Sequence, residues 1–148
     1  MISQTAEYAL RAIVLLADNA GETKTAKAIA KDTKVPVGYL AKIMHSLAKA
    51  GLVTSQRGIY GGFTLNRDPK VLSVYDVVHA VDPINRITEC PLGVEGHGSS
   101  LCPLHRGLDN AMAAVEMAFR KMTIYQVLNQ PSSSRPLCPF PPRETTVG

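Results

Sequence analysis

The chain has 148 residues, 45% of them hydrophobic, and a mean hydropathy near zero, which suits one globular unit with a single core. No apolar run approaches the roughly 20 residues of a membrane-spanning helix, and the N-terminus lacks the pattern of a secretory signal, so we expect a cytoplasmic protein with no membrane partner. The net charge of +4 is uneven, since residues 1–67 carry nine Lys and Arg against four Asp and Glu, and such a surplus suits a polyanion.

The first fifty residues predict three helices. From Ser3 to about Asp18, one face of the first helix is apolar with helical period: Ala6, Ala9, Leu10, Ile13, Leu16 and Ala17. Thr25 is placed to cap a second helix that runs through Lys31, and Pro36 suits the first turn of a third. The apolar face of the third helix should lie in the core: Leu40, Ile43, Met44 and Leu47.

A glycine-rich hairpin follows directly. Gly51 is a plausible helix stop, and residues 52–56 and 63–65 are typical of two strands joined by a flexible tip. Two short helices followed by such a hairpin predict a winged helix-turn-helix, which presents one helix to the DNA major groove and offers no catalytic residues. We therefore expect a mainly α protein that is not an enzyme.

The second half predicts three further helices. Ser73 and Asp76 form a capping-box pattern for a fourth helix that ends before Pro83, and Thr123 is placed to cap a short last helix. Between them, a helix after Cys102 carries an a/d-like apolar seam: Leu104, Leu108, Ala111, Val115, Ala118 and Met122. This seam favours a dimer, although an ordinary core helix would show a similar pattern.

The predicted organisation has four parts. They are a winged helix-turn-helix over residues 1–82, a sensor loop over 83–102, a dimerisation helix region over 103–129, and a Pro- and Ser-rich tail over 130–148 that we expect to be disordered.

The DNA-reading residues should lie at the start of the third helix and at the hairpin tip. Only a few side chains of a recognition helix reach base edges, while a guanidinium beside flexible glycines can enter a minor groove or bind phosphate. Alternatively, these two side chains have no role in DNA binding: Tyr39 packs on the second helix and Lys42 is only solvated. The candidates are Val37, Gly38, Tyr39, Lys42, Arg57, Gly58, Tyr60 and Gly61.

Three cysteines in a chain without a secretion signal favour metal or redox chemistry over structural disulfides. Cys90 and Cys102, with His105 one helical turn beyond, offer donors suited to soft metals and iron–sulfur clusters. The two cysteines could instead form a reversible disulfide that acts as a thiol switch. For Cys138, in the tail, a role outside the ligand set is expected.

The segments YLAKIMHSLAKAGLV and SQRGIYGGFTLNRDP, with Cys90, Cys102 and His105 downstream, resemble the Rrf2 family of bacterial regulators over residues 1–129. The resemblance implies a homodimer, held by the long helix, that binds a palindromic operator on double-stranded DNA through Arg57 and the start of the third helix. It also implies an iron–sulfur cluster, of which [2Fe–2S] is the expected type.

One feature departs from the family pattern. Members that carry a cluster use three cysteines in this loop; the first and last match Cys90 and Cys102, but the middle position falls near Gly96. His97 beside it, and Glu7, which matches a carboxylate offered by the first helix of the partner subunit, are candidate replacements. An exposed loop role for His97 and a helix-dipole role for Glu7 stay open.

Three rival functions remain. The first is a DNA-binding regulator without cofactor, controlled by a thiol switch, a small molecule or a partner protein. The second is a small metalloenzyme, for which no catalytic acid or base is evident. The third is a protein-interaction module that merely retains the winged-helix fold.

Overall fold

A computed structural model describes residues 2–94 and 100–132. Within these residues the elements are α1 (Gln4–Asp18), α2 (Ala26–Thr33), α3 (Val37–Lys49), β1 (Val53–Gln56), β2 (Gly62–Leu65), α4 (Val74–Val81), α5 (Pro103–Lys121) and α6 (Ile124–Asn129). The two strands pair antiparallel, with Val53 opposite Leu65 and Gln56 opposite Gly62. The fold is therefore mainly α, with the predicted winged helix-turn-helix and a long C-terminal helix.

Helix α1 is the centre of the molecule and contacts α2, α3, α4 and α6. Ser3 caps it, since the Ser3 hydroxyl accepts from the Ala6 N–H. The expectation of one buried face was too narrow, because every residue from Ala12 to Ala17 is buried. A helix surrounded by neighbours must be apolar on nearly all sides.

Helices α2 and α3 form the helix-turn-helix on one side of α1. The predicted core face of α3 is confirmed, as Leu40, Ile43, Met44 and Leu47 are all buried. Two predicted boundaries were wrong by a few residues. Helix α2 extends past Lys31 to Thr33, whose hydroxyl donates to the Ile29 carbonyl, and it ends at Lys34 in the left-handed region. Pro36 is the N-cap of α3 rather than part of its first turn.

The hairpin also differs slightly from its predicted bounds. Leu52 does not belong to β1, because its N–H donates to the Leu47 carbonyl and so closes the end of α3. Gly51 has a φ of 76° and is the predicted stop of that helix. Strand β2 begins at Gly62, one residue earlier than expected.

The C-terminal helix α6 returns to the core beside α4. The Ile124 side chain is fully buried, and its N–H donates to the Leu72 carbonyl, while the Val74 N–H donates to the Met122 carbonyl. The predicted capping box is present at Ser73 of α4, and Thr123 caps α6 as predicted, in a capping box with Gln126 that was not predicted. Residues 122–129 are therefore joined to the first half of the chain.

Helix α5 lies on the outside and contacts α4. None of its residues is buried. In the described ranges, no helix combines the length and apolar character that crossing a membrane requires.

Candidate nucleic-acid interface and sensor segment

The first turn of α3 presents its predicted reading residues to solvent. The side chains of Val37 and Tyr39 are 56% and 58% exposed, and Gly38 and Lys42 are exposed as well. The opposite face of the same helix is fixed in the core, so this surface has a defined orientation. In a helix-turn-helix, the N-terminal residues of the second helix are the ones that contact base edges in the major groove.

Tyr39 packs against α1, a contact that neither interpretation of the sequence included. Its ring meets the ring of Tyr8 edge to face, with centroids 6.3 Å apart. The Arg11 guanidinium lies over the Tyr8 ring, with its Cζ 5.3 Å from the ring centroid. It also donates to the Thr33 carbonyl at the end of α2. These contacts hold Tyr39 in place while more than half of its surface stays free.

The hairpin turn depends on glycine. Gly58 has a φ of 105° and its carbonyl accepts from the Gly61 N–H at 2.9 Å. A Cβ at Gly61 would lie 2.6 Å from the Gln56 carbonyl oxygen. Since backbone atoms cannot move aside as a flexible side chain does, this turn requires glycine at that position.

The base of the hairpin is tied to the segment before α2. Lys24 and Phe63 exchange two backbone hydrogen bonds, of 3.0 and 2.7 Å, and the hydroxyls of Thr23 and Thr64 lie 3.0 Å apart. Gly62 has a φ of 149°, and a Cβ there would lie 2.5 Å from the Lys24 carbonyl oxygen. The hairpin therefore holds a fixed position beside the helix-turn-helix.

The hairpin tip carries exposed side chains of two kinds. Arg57 is exposed, and among the described residues no carboxylate pairs with its guanidinium. Ile59 and Tyr60 are 95% and 91% exposed. Sequence reasoning selected Tyr60 but missed Ile59, although an apolar residue next to a tyrosine in a turn is itself a signal.

The predicted sensor donors are partly brought together. Cys102 is the N-cap of α5, and its Sγ lies 3.3 Å from Nδ1 of His105. Cys90 and Cys102 are free thiols, each partly buried. Over residues 2–94 and 100–132, no three His, Cys, Asp or Glu side chains meet in a group that would hold a metal ion.

Cys90 and Glu7, the other predicted donors within the described ranges, form no metal-binding group with that pair. Glu7 forms an ion pair with Arg11, with Oε1 and Nε 2.8 Å apart, on its own helix. The positions of Gly96, His97 and Cys138 lie outside the described residues, as does most of the tail predicted to be disordered. The chemistry of a thiol beside an imidazole suits a soft metal, but this pair supplies only two donors.

A second ion pair fastens the start of the sensor segment to α5. Arg86 binds Asp109 through two hydrogen bonds of 2.7 and 2.8 Å, and the Ile87 N–H donates to the same carboxylate. The hydrogen bond from Arg86 lowers the pKa of Asp109 to about 2, and the same bond raises the pKa of Arg86. Sequence reasoning missed this pair, because nothing local relates residues 23 positions apart.

The apolar seam on α5 faces solvent along its whole length. The side chains of Leu104, Leu108 and Val115 are 46–65% exposed, and Ala111 and Ala118 are exposed too. Met122, the last predicted seam residue, is 45% exposed but lies just past the helix, because α5 ends at Lys121 and Met122 has extended backbone. The side of α5 that faces α4 carries other residues, among them the half-buried Phe119, which packs on the core. The seam is therefore not the ordinary core face that the alternative interpretation required.

The chain matches a known protein family and several relatives over most of its length. The model of the Rrf2 family, described as iron-dependent transcriptional regulators, matches residues 2–130. A protein of Aquifex aeolicus (strain VF5), named as an HTH-type transcriptional regulator, is 30% identical over 132 residues, which is 87% of this chain and 92% of its relative.

Two solved structures share the fold. CymR, the global cysteine regulator of B. subtilis, is 26% identical with a TM-score of 0.66, and the match covers 84% of this chain and 93% of CymR. IscR of T. potens is 22% identical with a TM-score of 0.71, over 90% of this chain and 93% of that one.

Proposed function

Because the chain belongs to the Rrf2 family of transcriptional regulators, and not to a family of enzymes, we propose that it is a cytoplasmic homodimeric repressor that binds a palindromic operator. The observation that carries this proposal is the exposed start of α3 together with an exposed Arg57, for which the described ranges show no carboxylate partner, on a hairpin that backbone hydrogen bonds join to the segment before α2. A two-fold pair of such frames fits two half-sites about one helical turn apart on the duplex.

The proposed DNA contacts divide between the two elements. On α3, Tyr39 and Lys42 meet base edges or phosphates in the major groove, while Val37 and Gly38 allow close approach of the backbone. On the hairpin, Arg57 binds the neighbouring backbone or minor groove, and the turn residues Gly58, Tyr60 and Gly61 shape that approach.

The proposed dimer forms through the α5 seam. Five exposed apolar positions at alternating spacings of four and three give a continuous stripe along a helix of 19 residues, and Met122 follows directly after its end. Burying this stripe against a second copy removes apolar surface from water, which is the main favourable contribution to such association. The dimer also sets the distance between the two reading heads.

The proposed signal is an iron–sulfur cluster, expected to be [2Fe–2S], whose gain, loss or oxidation changes operator affinity. Cys90, Cys102 and His105 would hold it, completed by His97 or by Glu7 from the other copy. Bound there, the cluster supplies reversible one-electron chemistry, and histidine ligands raise its potential. Support comes from the Cys102–His105 pair and from the iron dependence that describes the family.

A cofactor-free regulator is the second candidate. Only Cys102 and His105 meet in the described part of the chain, and both loop cysteines are free thiols. Oxidation of Cys90 and Cys102 to a disulfide would then act as the switch, releasing two protons and two electrons to a thiol-oxidising partner such as a low-molecular-weight disulfide.

The DNA-binding proposal is tested with Arg57→Ala. The operator is first isolated by selection from random duplexes, and dissociation constants are then measured over a salt series. The variant should bind more weakly, and the slope of log affinity against log salt should fall by about one per subunit. Lys70→Ala is the matched control, because Lys70 lies over the Tyr125 ring of α6. Unchanged affinity in Arg57→Ala would favour an interaction module without DNA binding.

The cofactor is tested by purification without oxygen, visible absorbance, and assays of iron and sulfide. Bound iron should be present in the wild type and lost in Cys102→Ser and His105→Ala, but kept in Cys138→Ser. A colourless, iron-free protein that still binds the operator would exclude cluster sensing and favour the thiol switch.

A further inference from the structure

The hairpin tip exposes more apolar surface than its role as a cationic loop requires. Ile59 and Tyr60, at 95% and 91%, are the most exposed large hydrophobic side chains in the part of the chain that the structure describes. Neither contributes to the core cluster or its partly buried margin. Adjacent exposed hydrophobic residues of this size usually mark a contact surface.

Backbone hydrogen bonds hold the turn that carries these side chains. The turn is closed by the hydrogen bond from Gly61 to Gly58, and β2 is joined to Lys24 through Phe63. A tip on a fixed base loses little conformational freedom when it binds, so its side chains are suited to enter a narrow site.

The charge beside the tip indicates what that site is. Arg57 lies two residues before Ile59 and is exposed without a carboxylate partner in the described ranges. A narrow minor groove concentrates negative potential and attracts arginine. Proteins that use the minor groove insert apolar wedges between base steps and kink the duplex there.

We propose that Ile59 and Tyr60 form an apolar wedge that enters the minor groove next to Arg57 and partly unstacks a base step. The inference rests on the proposed DNA-binding function and deepens it. Pyrimidine–purine steps are the most easily unstacked, so the wedge favours operators that carry such a step under the hairpin. Specificity then arises at a position where no hydrogen bond to a base is made.

The test uses the full-length protein and the selected operator, with 2-aminopurine placed at the step that footprinting assigns to the hairpin. Wild-type binding should raise the 2-aminopurine fluorescence as the base unstacks. The double variant Ile59→Ser/Tyr60→Ser should lose that rise and bind about tenfold more weakly. Its salt slope should stay unchanged, because no charge is removed.

Two further variants sharpen the result. Tyr60→Phe keeps the ring and should preserve the fluorescence rise, whereas Val71→Ser, at a site that is 72% exposed but distant in sequence from the hairpin, should change neither affinity nor fluorescence. Circular dichroism of each variant should match the wild type, since the replaced side chains lie outside the core.

The contrary outcomes are distinct. Equal affinity and equal fluorescence in the wild type and the double variant would overturn the wedge alone. If the 2-aminopurine fluorescence never changes and the double variant binds DNA with less cooperativity, the tip contacts a neighbouring dimer instead. This result would also overturn the wedge. Failure of the wild type to select any duplex would overturn the proposed function itself.

Discussion

Arg86 and Asp109 form a bidentate ion pair that joins the segment after α4 to the first half of α5. The Asp109 carboxylate accepts two hydrogen bonds from the guanidinium and a third from the Ile87 N–H. Its side chain is only 13% exposed, and Glu116 lies 3.9 Å from the same guanidinium. The start of the proposed sensor segment is thus attached to the helix that carries Cys102 and His105 at its beginning.

This pair predicts a specific acid dependence. The pKa of Asp109 is lowered from 3.8 to about 2, so the folded state holds the charged form more strongly than the unfolded state does. Its contribution to stability should be complete above about pH 4 and should be lost as the pH falls toward 2. Asp109→Asn should therefore lower the melting temperature near neutral pH and show a smaller further loss on acidification.

The check is thermal unfolding followed by circular dichroism at a series of pH values, with Asp68→Asn as control. The Asp68 carboxylate accepts a hydrogen bond from the Lys70 N–H two residues away, and within the described ranges it belongs to no ion pair. A melting temperature of Asp109→Asn that runs parallel to the wild-type curve down to pH 2 would contradict the assignment.

The α5 seam predicts the oligomeric state. Val115→Glu places a charge in the middle of the stripe, where dimerisation would bury it without a partner, so the variant should sediment as a monomer. Met117→Glu is the matched control, because Met117 is 58% exposed on the same helix but lies off the seam. Equal sedimentation of the two variants would exclude the seam as the dimer contact.

Local patterns predicted much of the fold. Capping at Ser73 and Thr123, the stop at Gly51 and the buried face of α3 are confirmed, and each depends on residues within about two helical turns of one another. Such short-range patterns can be recognised in the sequence because they determine backbone dihedral angles and helical faces directly.

Long-range contacts could not be predicted in this way. How the helices pack decides two such contacts, the ring pair of Tyr8 and Tyr39 and the ion pair of Arg86 and Asp109. The periodicity of apolar residues within a helix does not predict that packing. The same limit applies to the candidate ligands. Cys102 and His105 are three residues apart at a helix start and lie in contact. The sequence does not say where Cys90 and Glu7 lie relative to them, and in the described ranges they do not complete a metal-binding group with this pair.

Gly38 offers a test that separates folding from DNA binding. It lies in the first turn of α3, its φ is not positive, and a Cβ there would meet nothing within 4 Å. Gly38→Ala should therefore keep or slightly raise the melting temperature, since alanine favours helix. If the α3 backbone approaches the groove at this point, operator affinity should fall all the same. Unchanged affinity would place Gly38 outside the interface.

Gly62 makes the opposite prediction, because the fold itself needs glycine there. A Cβ would lie 2.5 Å from the Lys24 carbonyl oxygen, and the φ of 149° disfavours any L side chain. Gly62→Ala must separate β2 from the segment before α2, at a cost of roughly 1–3 kcal/mol. The lost contact is the one that orients the hairpin, so operator affinity should fall by more than the loss of stability explains.

The measurement compares the free energy of unfolding in urea with the dissociation constant for the operator at a temperature where both proteins are fully folded. Gly58→Ala is the control, since it carries a similar backbone penalty at a φ of 105° but meets nothing within 4 Å. Gly62→Ala should lose more stability than Gly58→Ala, because only its Cβ would clash with backbone atoms. It should also lose more affinity, because it displaces the base of the hairpin rather than its tip. Equal affinities would mean that the bond between Lys24 and Phe63 does not determine where the hairpin meets DNA.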